Sequence, residues 1–296
     1  MKKEKKEELK KPGVLFICGT PIGNLSDITL RVLQTLKEVD LIAAEDTRHT
    51  QKLLNFYGIK KNSTSYFEHN KMEKTTYLIN LLKEGKKIAL VSDAGMPGIS
   101  DPGYILVNSA INENIKIIPI PGVSASLTAL VVSGLVNHPF IFEGFLSRKK
   151  SDRRNYLSVN KAESRTIVLY ESPFRIKKTL LDILEIWGDR KIALARELTK
   201  KFEEIIRGKI SEVLLLIDKK EIKGEITLVI QGNKNINHKK MNEYEDNELL
   251  KELLKLLIEK GDSNKKIYEK IKLNTDLSKN KIYKKILEIK KEMDAT

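Results

Sequence analysis

The stretch VLFICGTPIGN at residues 14–24 joins an apolar strand to a loop that is rich in glycine and proline. The stretch IALVSDAGMPGISDPG at residues 88–103 repeats this arrangement with a longer loop. Glycine lets the main chain approach a ligand closely, and proline stiffens the turn. Because open α/β sheets bind ligands at the carboxyl ends of their strands, two such loops predict one shared ligand cleft.

The residues of these loops restrict the ligand that the cleft can take. Neither loop has the sequence of a phosphate-binding loop or of a dinucleotide-binding fingerprint. The second loop carries Asp93 and Asp101, whose charges are unfavourable beside a pyrophosphate. A ligand with hydroxyl groups and a positive charge suits these carboxylates better. The alternative is that both loops are ordinary turns between a strand and a helix.

The order of apolar runs along the 296 residues predicts two α/β domains and a tail. Residues 1–12 are interpreted as a basic, disordered leader. Residues 13–135 are predicted to form an α/β domain whose mostly parallel sheet is covered on both faces. Residues 136–233 are predicted to form a second α/β domain, in which the strand spacing suggests antiparallel pairs. Residues 234–296 are a Lys-rich tail of three short helices, either a helix-turn-helix-type RNA-binding module or a solvated helix bundle.

The chain carries 54 Lys and Arg against 40 Asp and Glu, which gives a net charge of +14. Such an excess favours a polyanionic partner, although a general bias towards lysine gives the same total. Clustering favours nucleic acid, because one basic block spans residues 148–154 and a second lies between residues 265 and 291.

Composition also bears on the compartment and on metal binding. No stretch approaches the ~20 apolar residues of a membrane span, so we expect a cytoplasmic protein. The single cysteine, Cys18, excludes a disulfide within the chain and a cysteine-based zinc site. We predict no metal site.

Longer motifs make the sequence similar to a known family. They are CGTPIGNLSDI (residues 18–28), AEDTR (44–48), VSDAGMPGISDPG (91–103), PIPGVSA (119–125), YESP (170–173) with Arg175, and ARELTK (195–200). In this order they resemble the ribosomal RNA small subunit methyltransferase I family, over roughly residues 13–232. So many motifs in one order are specific, whereas a single one is not.

The resemblance implies the tetrapyrrole-methylase fold of class III S-adenosylmethionine (SAM) methyltransferases, in which two α/β domains hold SAM between them. It implies methyl transfer to the ribose 2′-hydroxyl of a cytidine, position 1402 of 16S rRNA, in the small ribosomal subunit. It further implies a homodimer. The matching cofactor-binding positions are Thr20, Pro21, Asp93, Gly95, Met96, Ser124, Ala125, Tyr170, Ala195 and Ile226.

Methyl transfer from a sulfonium needs no metal, but a base would help to remove the proton from a ribose hydroxyl. Candidates at the strand ends and loops of the first domain are Glu45, Asp46 and His69. His49 and Glu68 fit surface positions better. The segment SYFEHN, residues 65–70, has a phenylalanine where the family suggests a polar residue, often histidine. This departure leaves the identity of the base open.

RNA contacts are expected from basic residues outside the cleft, since cations on phosphates release counterions. The candidates are Arg48, Arg148, Lys149, Arg153, Arg154, Lys281, Lys284 and Lys285. Two other functions remain open: SAM-dependent methylation of a tetrapyrrole or corrin precursor, and a ribosome-binding factor without catalysis. The first gives no reason for the Lys-rich tail, and the second gives none for the loops rich in glycine and proline.

Overall fold

The computed structural model describes residues 12–220, 222–233, 251, 254–258, 262–272 and 279–294. The chain divides after Asn233 into two compact units, residues 1–233 and residues 234–296. Apart from Pro12, the predicted leader lies outside the described residues. Among the described residues, we find no helix with the length and apolar composition that a membrane crossing requires.

The first unit begins with a sheet of five parallel strands, in the order β3-β2-β4-β1-β5. The strands are β1 (Val14–Cys18), β2 (Leu41–Ala44), β3 (Ser63–Ser65), β4 (Lys87–Val91) and β5 (Lys116–Ile120). The helices are α1 (Leu30–Glu38), α2 (Thr47–Phe56), α3 (Lys71–Lys83), α4 (Gly103–Asn112) and α5 (Ala125–Val132). All four pairings are parallel, as the alternation of strands and helices predicts.

Side chains of this sheet alternate between two hydrophobic clusters, because successive residues of a strand point to opposite faces. Leu90 of β4 joins the cluster that α3 and α4 cover. Its neighbours Ala89 and Val91 join the cluster that α1 and α2 cover. The expectation of a sheet buried on both faces is therefore confirmed.

A second sheet follows, in the order β6-β7-β10-β8-β9. Its strands are β6 (Phe140–Phe145), β7 (Thr166–Glu171), β8 (Lys191–Arg196), β9 (Glu204–Lys209) and β10 (Ile226–Ile230). Its helices are α6 (Lys150–Val159), α7 (Ile176–Trp187) and α8 (Ile210–Lys219). β6 and β7 are parallel and the other pairs are antiparallel, which agrees with the strand spacing.

Helices cover both faces of the second sheet as well. Side chains of α6, α7 and α8 form the larger cluster, with Leu169, Leu194 and Leu228 of the sheet. Ala129 and Leu130 of α5 pack on the other face. The predicted domain boundary at residue 135 assigns α5 to the first domain, yet the helix packs on the second sheet and links the two.

The second unit has a small core of its own. Residues 254–258 are helical, and α9 (Asn264–Lys272) and α10 (Lys279–Asp294) follow. The buried apolar side chains are Leu254, Leu257, Ile267, Ile271, Ile282, Ile286 and Ile289. They repeat at helical spacing on one face of each helix, which is the pattern of helices packed together.

Candidate functional site

A cavity of about 550 Å³, the first cavity, lies where the strand ends of the two sheets face each other. The first sheet contributes the loops that follow β2, β4 and β5, and the second contributes residues at the ends of β7, β8 and β10. Seven of the cofactor-binding candidates line it: Asp93, Gly95, Met96, Ser124, Ala125, Tyr170 and Ile226. Ala195 lines neither this cavity nor the one described next, because it is 1% exposed and packs under α5.

A second cavity of about 440 Å³ adjoins the first. The remaining two cofactor candidates, Thr20 and Pro21, line this second cavity. His49 and Lys52 of α2 line it too. The residues common to both cavities are Ile22, Ser92, Asp93, Ala94, Lys200 and Glu225. The structure therefore offers two adjoining compartments with Asp93 in the wall of each.

The loops of the first sheet are joined main chain to main chain. Thr20 and Gly95 exchange backbone hydrogen bonds of 2.9 and 3.1 Å. A Cβ atom on Gly19 would lie only 2.7 Å from the Cα of Gly122, too close for any side chain. The Thr20 hydroxyl also donates to the carbonyl of Ser92, at 3.0 Å. Glycine at positions 19 and 122 thus allows three loops to meet as a single wall.

Hydrogen bonds from main-chain N–H groups hold the carboxylates of Glu45 and Asp93 in place beside these loops. Glu45 accepts from the main-chain N–H of Asp93 at 3.1 Å, and Asp93 accepts from the N–H of Asp46 at 3.0 Å. Burial raises the pKa of Glu45, and the charges of Asp93 and Asp101 raise it further, against the hydrogen bond from Asp93. Burial likewise raises the pKa of Asp101. A carboxyl with a raised pKa is better suited to accept a proton.

Asp46 has a different role from its neighbour. Its carboxylate caps α2 by accepting from the N–H of Arg48 at 2.8 Å, and it also binds the Arg48 guanidinium at 2.8 Å. These bonds hold the pKa of Asp46 well below its usual range. Asp46 lines neither cavity.

His69, the third candidate base, is exposed and lies edge-on to Phe67, with ring centroids 6.2 Å apart. It lines neither cavity. His49, which the sequence assigns to the surface, lies on the second cavity instead. Of the three candidate bases, the structure places only Glu45 on a cavity wall.

The loop after β8 closes the site from the side of the second sheet. Thr199 accepts a hydrogen bond of 3.0 Å from the N–H of Asn24 in the first loop. Lys200 binds Glu197 and Glu225, each at 2.9 Å, and its side chain lies in the wall of both cavities. The only sequence signal for Lys200 is its place in the ARELTK motif. Its contact with Glu225 depends on a distant strand, which the sequence does not show.

The RNA-binding candidates fall into different environments. Arg153 is 5% exposed and binds Asp182 of α7 through bonds of 2.6 and 2.8 Å. Arg154 binds the same carboxylate and Glu185. Arg153 is thus a structural residue that ties α6 to α7, and we leave it out of the RNA surface.

Other candidates remain accessible. The side chain of Arg48 is 86% exposed although it binds Asp46. Arg148, Lys149 and Lys284 are exposed, and Lys285 is half-buried. The side chain of Lys281 lies outside the described residues.

The described residues hold no group of three or more His, Cys, Asp or Glu arranged to bind a metal. Cys18 is buried in the core, and burial raises the pKa of its thiol to about 12. A thiol with so high a pKa stays protonated at neutral pH and is a poor nucleophile.

Comparison with known proteins identifies the family. Residues 14–214 match the tetrapyrrole (corrin/porphyrin) methylases. The ribosomal RNA small subunit methyltransferase I of Bacillus subtilis strain 168 is 45% identical over 271 residues, which cover 92% of this chain and 93% of the relative. The protein of the same name from Thermotoga maritima is 55% identical over 220 residues, 74% of this chain and 99% of the relative.

A solved structure supports the fold. Uroporphyrin-III C-methyltransferase from Thermus thermophilus, in complex with S-adenosyl homocysteine, superposes with a TM-score of 0.54 at 17% identity, over 74% of this chain and 97% of that one. The predicted class III fold is confirmed. The chain belongs to the ribosomal RNA small subunit methyltransferase I family, within the tetrapyrrole methylases.

Proposed function

We propose that this protein transfers the methyl group of SAM to the ribose 2′-hydroxyl of a cytidine, position 1402 of 16S rRNA, in the small ribosomal subunit. The observation that carries the proposal is the pair of adjoining cavities with Asp93 in both walls. Methyl transfer needs two molecules bound side by side, and two adjoining cavities can hold them. The names of the relatives, at 45% and 55% identity, support ribosomal RNA as the acceptor.

The first cavity fits SAM. The described residues of its wall include six carboxylates, Glu45, Asp93, Asp101, Glu171, Glu197 and Glu225, against one lysine. Carboxylates favour a sulfonium, an ammonium and ribose hydroxyls, while Met96, Tyr170 and Ile226 offer apolar surface to a purine ring. Bound there, SAM supplies an electrophilic methyl group.

The second cavity fits the acceptor nucleoside. Leu25 and Leu53 give it apolar walls, and His49 and Lys52 add polar and cationic groups. Positioning of two reactants in adjoining compartments supplies effective molarities of roughly 10⁵–10⁸ M. Glu45 accepts the proton of the hydroxyl in this proposal, because its pKa is raised and its carboxylate binds the N–H of Asp93, a residue that lines both cavities.

The relatives disfavour the tetrapyrrole alternative. The two relatives at 45% and 55% identity are named for ribosomal RNA, whereas the solved tetrapyrrole methyltransferase is 17% identical. The cleft itself disfavours a ribosome-binding factor without catalysis, because such a factor needs no paired cavities.

We further propose that the protein acts in the cytoplasm as a homodimer. The exposed apolar residues Leu127 and Val131 of α5 support an association surface, and sedimentation equilibrium tests it.

The direct test is transfer of radiolabelled methyl from SAM to purified small ribosomal subunits from a strain that lacks the gene. The product RNA is digested and the labelled nucleoside is identified. We expect label in 2′-O-methylcytidine, or in its base-methylated derivative. Absence of label, with SAM binding intact by calorimetry, would overturn the proposal and favour a small-molecule acceptor.

A further inference from the structure

A groove of about 510 Å³ adjoins the first cavity on the side of the second sheet. We call it the Phe174 groove. Its lining residues are Pro173, Phe174, Ile176, Lys177, Ile217, Lys220, Ile222, Lys223 and Gly224. Pro173 and Gly224 also line the first cavity, so the groove opens directly beside the cleft.

Phe174 is the most exposed large hydrophobic side chain among the described residues, at 93%. The turn that carries it is firmly held. On one side, the N–H of Ser172 donates to the buried carboxylate of Glu171 at 2.8 Å. On the other, the Arg175 guanidinium donates to the carbonyl of Leu146 at 2.8 Å. A ring held out on a fixed turn can bind a flat partner without losing much conformational freedom.

Charge distinguishes this groove from the cleft beside it. Its described lining includes three lysines and no carboxylate, whereas six carboxylates line the first cavity. Lys177 binds Asp218 at 2.7 Å and Lys220 binds Glu204 at 2.9 Å, so these two ammonium groups are held in place and a phosphate must share each of them with a carboxylate. An RNA phosphate is therefore repelled by the first cavity and attracted by the groove.

We propose that the Phe174 groove binds an unpaired nucleotide of the same RNA strand as the acceptor, with its base stacked on Phe174 and its phosphate against the lysines. The inference rests on the proposed function. A nucleotide that enters an active site leaves the base stack, and the strand around it loses stacking partners. Aromatic rings beside cationic groups replace such stacking in proteins that bind single strands.

The test compares Phe174→Ala with Phe174→Tyr, which keeps an aromatic ring. We expect Phe174→Ala to weaken binding of small subunits about tenfold and to raise KM by a similar factor, with kcat and SAM affinity unchanged. Phe174→Tyr should behave like the wild type. Phe56→Ala is the matched control, because Phe56 is 63% exposed at the end of α2 and lines neither the cavities nor the groove.

The lysines have a separate readout. The double variant Lys177→Gln/Lys223→Gln should reduce the slope of log K against log [salt] by about 0.7 for each RNA phosphate that the protein no longer neutralises. An unchanged slope would show that these lysines do not bind an RNA phosphate.

Two results would overturn the proposal as a whole. The first is unchanged KM and subunit affinity in Phe174→Ala while the wild type methylates rRNA. The second is a change of oligomeric state in Phe174→Ala without a change in RNA affinity, which would make the groove a protein interface. A wild-type protein that methylates no rRNA would instead refute the proposed function, so the two failures are distinguishable.

Discussion

Glu45 and Asp46 are neighbours in sequence, but the pKa of the first is raised and that of the second is lowered. The cause is the direction in which each side chain points. Glu45 points into the cleft beside Asp93 and Asp101, where burial and like charge disfavour its ionised form. Asp46 points to the start of α2, where Arg48 and the helix N–H groups favour ionisation. Two adjacent residues after β2 thus take different roles, the first as a candidate base and the second as a helix cap.

Removal of the Glu45 charge should slow catalysis and stabilise the fold. If Glu45 is the base, Glu45→Gln should lower kcat by about 10²–10⁴-fold with little change in SAM affinity. Glu68→Gln is the matched control, because Glu68 is exposed and bound to Lys71 outside the cavities. Full activity of Glu45→Gln would contradict this role and indicate that solvent accepts the proton of the ribose hydroxyl.

The stability effect of the same variant depends on pH. Because the folded-state pKa of Glu45 is raised, its ionisation reduces the free energy of unfolding as the pH rises from its ordinary pKa through the folded-state value. Glutamine does not titrate. We therefore expect urea denaturation to give a larger free energy of unfolding for Glu45→Gln at pH 7, with a smaller difference at pH 4.

Asp93 should be necessary for cofactor binding through its charge. Asp93→Asn keeps an oxygen that can accept from the N–H of Asp46, whereas Asp93→Ala removes both the charge and the hydrogen bond. We expect Asp93→Ala to abolish SAM binding in calorimetry and Asp93→Asn to weaken it strongly while the protein stays folded. Unchanged affinity in either variant would contradict the assignment of the first cavity to SAM.

At the scale of elements, the sequence predicts those helices and strands whose own residues carry a clear apolar pattern. Apolar runs predict strands at residues 140–145 and 166–171, and an apolar stripe at helical spacing predicts a helix at residues 176–187. β6, β7 and α7 have these ranges to the residue, because the apolar periodicity is clear and Pro or Gly lies nearby. The sequence pattern predicts a helix at residues 50–57, but α2 begins at Thr47, since Asp46 supplies the cap. α6 is polar along most of its length, and apolar periodicity does not predict it. Its attachment depends on the ion pair of Arg153 with Asp182, a contact between separate helices.

The contact of the loops at Gly19 and Gly122 should be sensitive to a single methyl group. In Gly122→Ala, the new Cβ would lie 2.8 Å from the Cα of Gly19, so the two loops must separate. We expect a lower Tm and a SAM affinity reduced at least tenfold, as measured by calorimetry. Gly134→Asn is the control, because the position has open space and a positive φ that asparagine tolerates. Wild-type SAM affinity in Gly122→Ala would show that the wall tolerates displacement.

At the scale of the whole molecule, the two units should separate in function. The Thermotoga maritima relative aligns over 99% of its length with 220 residues of this chain, fewer than the first unit contains. We expect a variant ending at Asn233 to fold and to bind SAM like the full chain. Its binding to small subunits should be weaker and less dependent on salt, because the basic second unit is gone.

Two measurements check this separation. Calorimetry reports SAM affinity, and filter binding at several salt concentrations reports subunit affinity. Loss of SAM binding in a truncated protein that is still folded would contradict the division into independent units. The control is Lys284→Gln in the full chain, which removes one exposed charge of α10 without removing the core of the unit.

The sequence predicts the candidate site only where the residues that form it lie together in one loop. The Gly/Pro-rich loops indicate the cleft, and Asp93, Gly95 and Met96 lie on its wall. Contacts between distant segments are not visible in the sequence. His49 and Lys200 both line the second cavity because two sheets face each other, and Arg153 is buried because Asp182 lies opposite.

The wall built from Gly19, Gly122, Thr20 and Gly95 has a consequence for resistance to inhibitors. The loops meet there through main-chain atoms, which mutation cannot exchange. A compound that displaces the cofactor by binding beside Gly95 lies against these joined loops, and a substitution that separates the loops to expel the compound would also damage the cofactor site. Resistance is easier to acquire at lining positions such as Met96 and Tyr170, whose side chains can vary in size.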